Sequence, residues 1–427
     1  MATRRDGNGR IFCSGNHNRN CTQINAFRPE ALCTCNGRRS GAGPVTTASA
    51  LVPLWNRQAE WLRRLAMIEA ARSFLYLTTF YLEYDLYGIA MLKALQAAQA
   101  RGVAVTLLID SFGQRLGGVL MTEEHRAFLE REFGILRAAG GVVQFYEPPR
   151  LAQRLLGGGH HIKIQVSDAG EAIYGSGNIT KSSFEGWNEY AVALRGPAVV
   201  SLLESVEALG VRVLPEHLQQ IRHTSAGKKG DIELEYWFYN PNRGQGFLGP
   251  LFWHGQNTLT EKMIALVATA RRSISLTSFY FKPTRRLMKA VLRAAHRGVR
   301  VEVFHSHRNA LSSTDLAWIA AATGYKRLLK AGVQVYENRH GEHSKIVLVD
   351  EECVAFGSYN FEDAAHDRLA EAMLMTRDRR AVIPAVGIFA ELRGHPDNER
   401  VTLHSLHELP LTERIRIARY GRFKWWL

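Results

Sequence analysis

Residues 161–168 read HIKIQVSD and run on to GSGN at 175–178; residues 343–350 read HSKIVLVD and run on to GSYN at 357–360. Each copy sets out a His, a Lys two places later, an Asp seven places later, and then Gly-Ser-x-Asn. His343, Lys345, Asp350, Ser358 and Asn360 follow His161, Lys163, Asp168, Ser176 and Asn178 by the same 182 residues, and Glu371 follows Glu189 at that interval too. A register kept at so many polar and glycine positions marks a duplicated unit whose two copies serve one chemistry.

The elements around each copy repeat in order. Helical spacing from Trp55 to Ser73 is followed by the apolar, β-branched run FLYLTTFYL at 74–82, a helix ending at Gly102, the strand VAVTLLID, a helix near 122–139 and the strand VVQFYE at 142–147. After a break the series returns: EKMIALVATARRS, ISLTSFYF at 274–281, a helix ending at Gly298, VRVEVFHS, YKRLLKAG and VQVYE. The period is far too long for a solenoid. The expectation is a duplicated α/β protein with halves at 51–222 and 251–410, joined by a polar linker at 223–250.

Strand alternation puts the His and Lys of each copy on one face, with Ile162 and Ile164, or Ser344 and Ile346, on the other. Two such edges brought together make a site with two imidazoles, two ammonium groups and two carboxamides. That set suits attack on a phosphodiester. Lys163 and Lys345 supply charge to the non-bridging oxygens, and Asn178 and Asn360 donate hydrogen bonds. One of His161 and His343 attacks phosphorus while the other protonates the leaving oxygen and later deprotonates an acceptor. Glu189 and Glu371, each 28 residues beyond its His, can fix the imidazole tautomers. Asp168 and Asp350 complete the motif as turn carboxylates. Ser176 and Ser358 lack a nucleophile elbow and read as phosphate-binding loop hydroxyls. The scheme needs no metal and no cofactor, and the paired lysines would oppose a cation.

The chain has 427 residues, 46% of them hydrophobic, with 54 Lys and Arg against 40 Asp and Glu, a formal charge of +14. It can bury a large core, and its charge favours an anionic partner, either an acidic membrane surface or a nucleic acid. No run reaches the length of a transmembrane helix, and the basic N-terminus lacks the apolar stretch of a secretory signal, so an intracellular location is expected. Residues 1–50 are rich in polar residues and glycine and read as a disordered extension. Cys13, Cys21, Cys33 and Cys35 lie there with His17, at spacings unlike a common zinc site. Cys353 reads as a core thiol.

The duplicated HxKxxxxD with GSxN resembles the signature of the phospholipase D superfamily over about residues 51–400. The resemblance implies two α/β sandwich domains related by a pseudo-twofold axis, one active site at their junction, and a ping-pong reaction through a phosphohistidine, with His161 in the nucleophile's place and His343 as acid and base. QARGV, HRGVRV and KAGVQVYE resemble bacterial cardiolipin synthases and related phosphatidyltransferases, which implies a phospholipid substrate; GSGN departs from the Gly-Gly-x-Asn that many of these carry. A peripheral protein on the inner face of the cell membrane follows, held by the loop PPRLAQRLLGGG at 148–159 and by the basic, aromatic tail LTERIRIARYGRFKWWL at 411–427. The alternatives are a phospholipase D-type hydrolase, a phosphatidylserine synthase, or a phosphodiesterase acting on nucleic acid.

Overall fold

In chain order the strands are β1 (Val45–Ala48), β2 (Ala50–Leu54), β3 (Phe74–Thr79), β4 (Ala104–Asp110), β5 (Val142–Tyr146), β6 (Gly159–His160), β7 (Lys163–Ser167), β8 (Glu171–Gly175), β9 (Ala191–Arg195), β10 (Ile232–Tyr239), β11 (Ser273–Thr277), β12 (Arg300–Ser306), β13 (Gln334–Asn338), β14 (Ile346–Val349), β15 (Cys353–Gly357), β16 (Leu369–Thr376) and β17 (Asn398–Val401). They come from a computed structural model that describes residues 45–117, 121–226, 230–243, 256–311 and 314–420. One sheet runs β2-β9-β8-β7-β3-β4-β5 and the other β1-β10-β16-β15-β14-β11-β12-β13-β17, with β6 added beside β16.

The duplication is visible strand by strand. β3, β4 and β5 are parallel with β7 antiparallel to β3, and β11, β12 and β13 are parallel with β14 antiparallel to β11. The connecting helices Leu86–Ala100 and Arg285–His296 both stop at a glycine in the left-handed region, Gly102 at φ 88° and Gly298 at φ 87°, a conformation that costs a glycine least. Both sheets are covered on both faces, and so β3, β7 and β8 are buried along their whole length rather than alternating.

Residues from the two sheets share a central core, among them Ile164, Tyr174 and Val192 from one and Ile346, Phe356 and Leu374 from the other. Tyr174 donates its hydroxyl hydrogen to the Ala372 carbonyl, and the Tyr190 and Phe356 rings meet at 5.3 Å. The sheets are therefore packed against each other along β8, β9, β15 and β16, which sets the two motif copies opposite one another. Separate outer cores lie under the helices of each half.

Three expectations need correction. Residues 45–48 and 50, expected in a loose extension, belong to strands: β1 pairs with β10 and β2 with β9, so this short run stitches the two sheets together. The supposed linker carries the end of the helix Pro215–Ala226 and then β10, in which Ile232, Leu234 and Tyr236 are buried between charged or outward positions. The polar flanks hid that period-two pattern. Of the expected tail, Leu411–Tyr420 is a helix laid on the helix Leu316–Lys330; Ile417 joins the outer core, and Arg308, Asp315, Arg416 and Glu413 close a ring of ion pairs at 2.8–3.2 Å. Residues 1–44, with the four cysteines, and 421–427 lie outside the described residues.

Candidate active site

Each histidine enters the site just ahead of a strand, with its lysine at the strand's first residue (Lys163 in β7) or immediately before it (Lys345 before β14). Thr78 at the end of β3 donates to the Ile162 carbonyl (2.9 Å) and accepts from the Ile164 amide (3.0 Å), which pins the chain between His161 and β7. Thr277 does the same service in the other half, accepting from the Ile346 amide at 2.9 Å. The lysine then folds back. Lys163 Nζ donates to the His161 carbonyl at 2.8 Å, and Lys345 Nζ donates to the His343 carbonyl. Both lysines are 1% exposed and both histidines 4%.

The halves exchange supports across the junction. The backbone N–H of His161 donates to the Ala370 carbonyl and that of His343 to the Asn188 carbonyl, both at 2.8 Å, so the main chain of each histidine is anchored on the opposite repeat. β6, immediately before His161, pairs with β16 of the second sheet, while Glu342, immediately before His343, bridges to Asn188 of the first. The outcome is a pair of rings with centroids 6.5 Å apart. One substrate atom can lie between them.

The carboxylates cross over in the same way. His343 Nδ1 lies 2.7 Å from Glu189 Oε1, and His161 Nδ1 lies 3.1 Å from Glu371 Oε1. In each case the glutamate belongs to the other copy. Only the Ser358 carbonyl, at 3.0 Å, is aligned to take the His161 hydrogen. A carbonyl can only accept, so Nδ1 of His161 carries the hydrogen and Nε2 keeps its lone pair. Ser176 donates to Glu189 and Ser358 to Glu371, while their oxygens accept from the Tyr190 (2.9 Å) and Ala372 (3.0 Å) amides. These hydroxyls are committed to the carboxylates. This corrects the expectation that they bind substrate phosphate.

Burial sets the electrostatics, and the two carboxylates diverge. Burial pushes Glu371 well above its usual range, opposed by Lys163 and the Ser358 hydroxyl. Burial raises Glu189 as well, but His343, Lys345 and Ser176 outweigh it and hold this carboxylate down at about 2. Burial lowers His161 well below the ordinary imidazole value, helped by Lys163 and Lys345. His343 is lowered by burial to about 4, with Glu189 pulling the other way. Lys345 is lowered by burial to about 8 and partly restored by Glu189 and Glu371.

Asn178 and Asn360 follow the same strands into the junction and are buried. Asp168 and Asp350 do not reach it. They sit at the far ends of β7 and β14, where Asp168 accepts from the Arg72 and Ser73 amides and Asp350 from those of Arg271, Arg272 and Ser273. They hold the turns that start β3 and β11. Among the described residues no group of three or more His, Cys, Asp or Glu side chains is placed to hold a metal ion. Sequence reasoning missed Thr78, Thr277 and the aromatic walls: Phe80 lies 4.9 Å from the His161 ring, Phe279 4.8 Å and Trp187 5.0 Å from the His343 ring. The signal was present as TTFY at 78–81 against TSFY at 277–280.

Two facing α/β sheets that deliver paired His, Lys and Asn side chains to one junction define a phospholipase D-type enzyme. A family model described as cardiolipin synthase, PLD-like domain, matches residues 65–207 and 263–393, more than half of the chain, and the chain belongs to that family. It is 28% identical over 332 residues to cardiolipin synthase B of Salmonella typhi, covering 73% of this chain and 72% of that protein. It is 26% identical over 339 residues to cardiolipin synthase of Geobacillus kaustophilus, covering 76% and 62%. Its fold is similar to the crystal structure of phosphatidylserine synthase from Haemophilus influenzae, with a TM-score of 0.67 at 17% identity over 90% of this chain and 97% of that one.

Proposed function

We propose that the chain is a phosphatidyltransferase of the cardiolipin synthase type, moving a phosphatidyl group from a glycerophospholipid to an alcohol by way of a phosphohistidine. The observation that carries this is the pair of imidazoles 6.5 Å apart, each tied back through Nδ1. Nε2 of His161 attacks phosphorus, and the bond to the leaving headgroup oxygen breaks as His343 supplies a proton. The acceptor hydroxyl then gives its proton to His343, its oxygen attacks phosphorus, and the bond to His161 breaks. Lys163, Lys345, Asn178 and Asn360 face the charge that grows on the non-bridging oxygens.

Family membership and the names of the similar synthases support a phospholipid substrate. Among the described residues no helix is long and apolar enough to cross a membrane. The chain meets its substrate at the surface of the inner leaflet, through the short helix Leu151–Leu155 that leads into β6. Leu151 and Leu155 are 69% and 76% exposed beside Arg150 and Arg154, an arrangement suited to an anionic interface.

The test is to incubate the purified chain with phosphatidylglycerol vesicles and read the lipids by mass spectrometry. A diphosphatidylglycerol product with four acyl chains is expected, with free glycerol released. Phosphatidic acid as the only product would make the enzyme a hydrolase. Leu151→Asp with Leu155→Asp should weaken flotation with vesicles while leaving turnover of a soluble short-chain phospholipid in place.

A further inference from the structure

A pseudo-symmetric site has to run an asymmetric reaction, so the places where its halves differ hold the information about which molecule is the acceptor. After the aromatic wall residues the chain reaches Glu83 in one half and Lys282 in the other; Glu83 N–H donates to the Ile179 carbonyl and Lys282 N–H to the Phe361 carbonyl. Two residues after each motif asparagine stand Thr180 and Glu362. Thr180 is fully buried and turned onto Ser183. Glu362 keeps 17% of its side chain exposed, with Oε1 3.3 Å from Asn360 Nδ2 and Oε2 3.7 Å from Lys282 Nζ.

Glu189 and Glu371 are occupied with the imidazoles. Glu362 touches neither ring, yet it stands against the asparagine of the catalytic motif and its charge acts on Lys345. Lys282 and Asn360 hold it in one orientation. A fixed carboxylate at the rim of a phosphoryl-transfer site repels anions and can only accept hydrogen bonds, and so its complement is a neutral group rich in hydroxyls.

Resting on the transferase reading above, we propose that Glu362 is the acceptor-reading residue: it takes hydrogen bonds from a hydroxyl adjacent to the one that reacts, which selects a polyol over a simple alcohol or water. One hydroxyl of the vicinal pair loses its proton to His343 and attacks the phosphorus held on His161. Its neighbour stays intact, donating to Glu362. Water and monohydric alcohols lack a second hydroxyl on the neighbouring carbon and leave the carboxylate unanswered.

The experiment offers the full chain phosphatidylglycerol vesicles with deuterated glycerol and ethanol in competition, and reads labelled phosphatidylglycerol against phosphatidylethanol by mass spectrometry. In Glu362→Gln the glycerol-to-ethanol product ratio should fall about tenfold, the effect of losing one hydrogen bond to a charged group, whatever the change in total turnover. Glu362→Asp should recover part of the ratio. An unchanged ratio, or an equal fall of both products, overturns this assignment and leaves Glu362 as a support for Lys282. A native chain that forms neither product and no diphosphatidylglycerol overturns the transferase reading along with it.

Discussion

His161 and His343 are delivered by equivalent strands and anchored by equivalent backbone bonds, yet they lean on different groups. His343 hydrogen-bonds to Glu189, a carboxylate that stays ionised because His343, Lys345 and Ser176 surround it. His161 gives its Nδ1 hydrogen to the Ser358 carbonyl, with Glu371 alongside in a setting that resists ionisation. An imidazole backed by a full negative charge is the better base and holds a proton in the transition state. An imidazole backed by a neutral carbonyl stays neutral, with a free lone pair. In the proposed reaction the duplication supplies two identical rings, and their backing suits one to carrying a proton and the other to attacking phosphorus.

The sharpest way to break this comparison is to remove one ring at a time. His161→Ala and His343→Ala should each lower turnover of a natural phospholipid by about 10⁴-fold or more. They should part company with a phospholipid analogue whose leaving group is an acidic phenol, which departs without a proton. There His343→Ala still accumulates labelled phosphoenzyme and His161→Ala does not. The opposite pattern would exchange the two roles.

The glutamates come next. Glu189→Gln removes the charge that supports the proposed proton carrier and should cost about 10⁴-fold in kcat, as for other histidine-orienting carboxylates. Glu371→Gln replaces a group that already resists ionisation, and the Ser358 carbonyl remains to fix the tautomer. About tenfold is expected. Steady-state rates of the two variants on one substrate decide it, and equal losses would remove the distinction between the half-sites.

How far these pairs could be read beforehand depends on where their partners lie in the chain. The fold class, the duplication and the members of the site were legible because the motif is local: His, Lys and Asn fall on consecutive strand ends with fixed spacing. The crossing of Glu189 to His343 and of Glu371 to His161 was not legible. Each glutamate keeps its interval from its own copy, and only the packing of Tyr174 and Tyr190 on β15 and β16 brings it to the other ring. β10 and the helix Leu411–Tyr420 were misread for another reason. Their charged residues suggested solvent or membrane, whereas Arg416 and Glu413 are satisfied within the protein by Arg308 and Asp315.

The lysines sharpen the comparison through pH. Burial brings Lys345 to about 8, and in the proposed reaction its ammonium form is the one that faces the phosphoryl oxygens. Activity that needs this proton is full below that value and declines as pH rises through about 8. Lys345→Arg keeps its charge throughout, so the alkaline limb of kcat/KM should move up beyond the range where the native enzyme fails, at a lower plateau because the guanidinium is larger. An alkaline limb left in place by that change would assign it to another group.

The smallest effects belong to the motif aspartates, which complete the repeated motif in the sequence and lie at the far ends of their strands. Asp350 accepts three backbone amides, from Arg271, Arg272 and Ser273, and these hold it below the ordinary carboxylate range against the upward push of burial. A carboxyl depressed on folding contributes stability above the unfolded value near 3.8, and that contribution disappears as pH falls through the lower folded value. Asp350→Asn should therefore lower unfolding free energy at pH 7 by about 1–2 kcal/mol, the loss of charge-assisted hydrogen bonds, with the gap to the native protein closing on acidification. Asp168→Asn should also lower stability at pH 7, since Asp168 accepts from two amides and the Ser73 hydroxyl. Neither change touches the imidazoles, so kcat of the folded fraction should remain within about twofold while both imidazole and glutamate variants fall by tenfold or more. Denaturant unfolding and active-site titration of the phosphoenzyme separate the two quantities. A loss of kcat in a fully folded Asp350→Asn would mean that the turn at the far end of β14 sets the position of Lys345 along the strand.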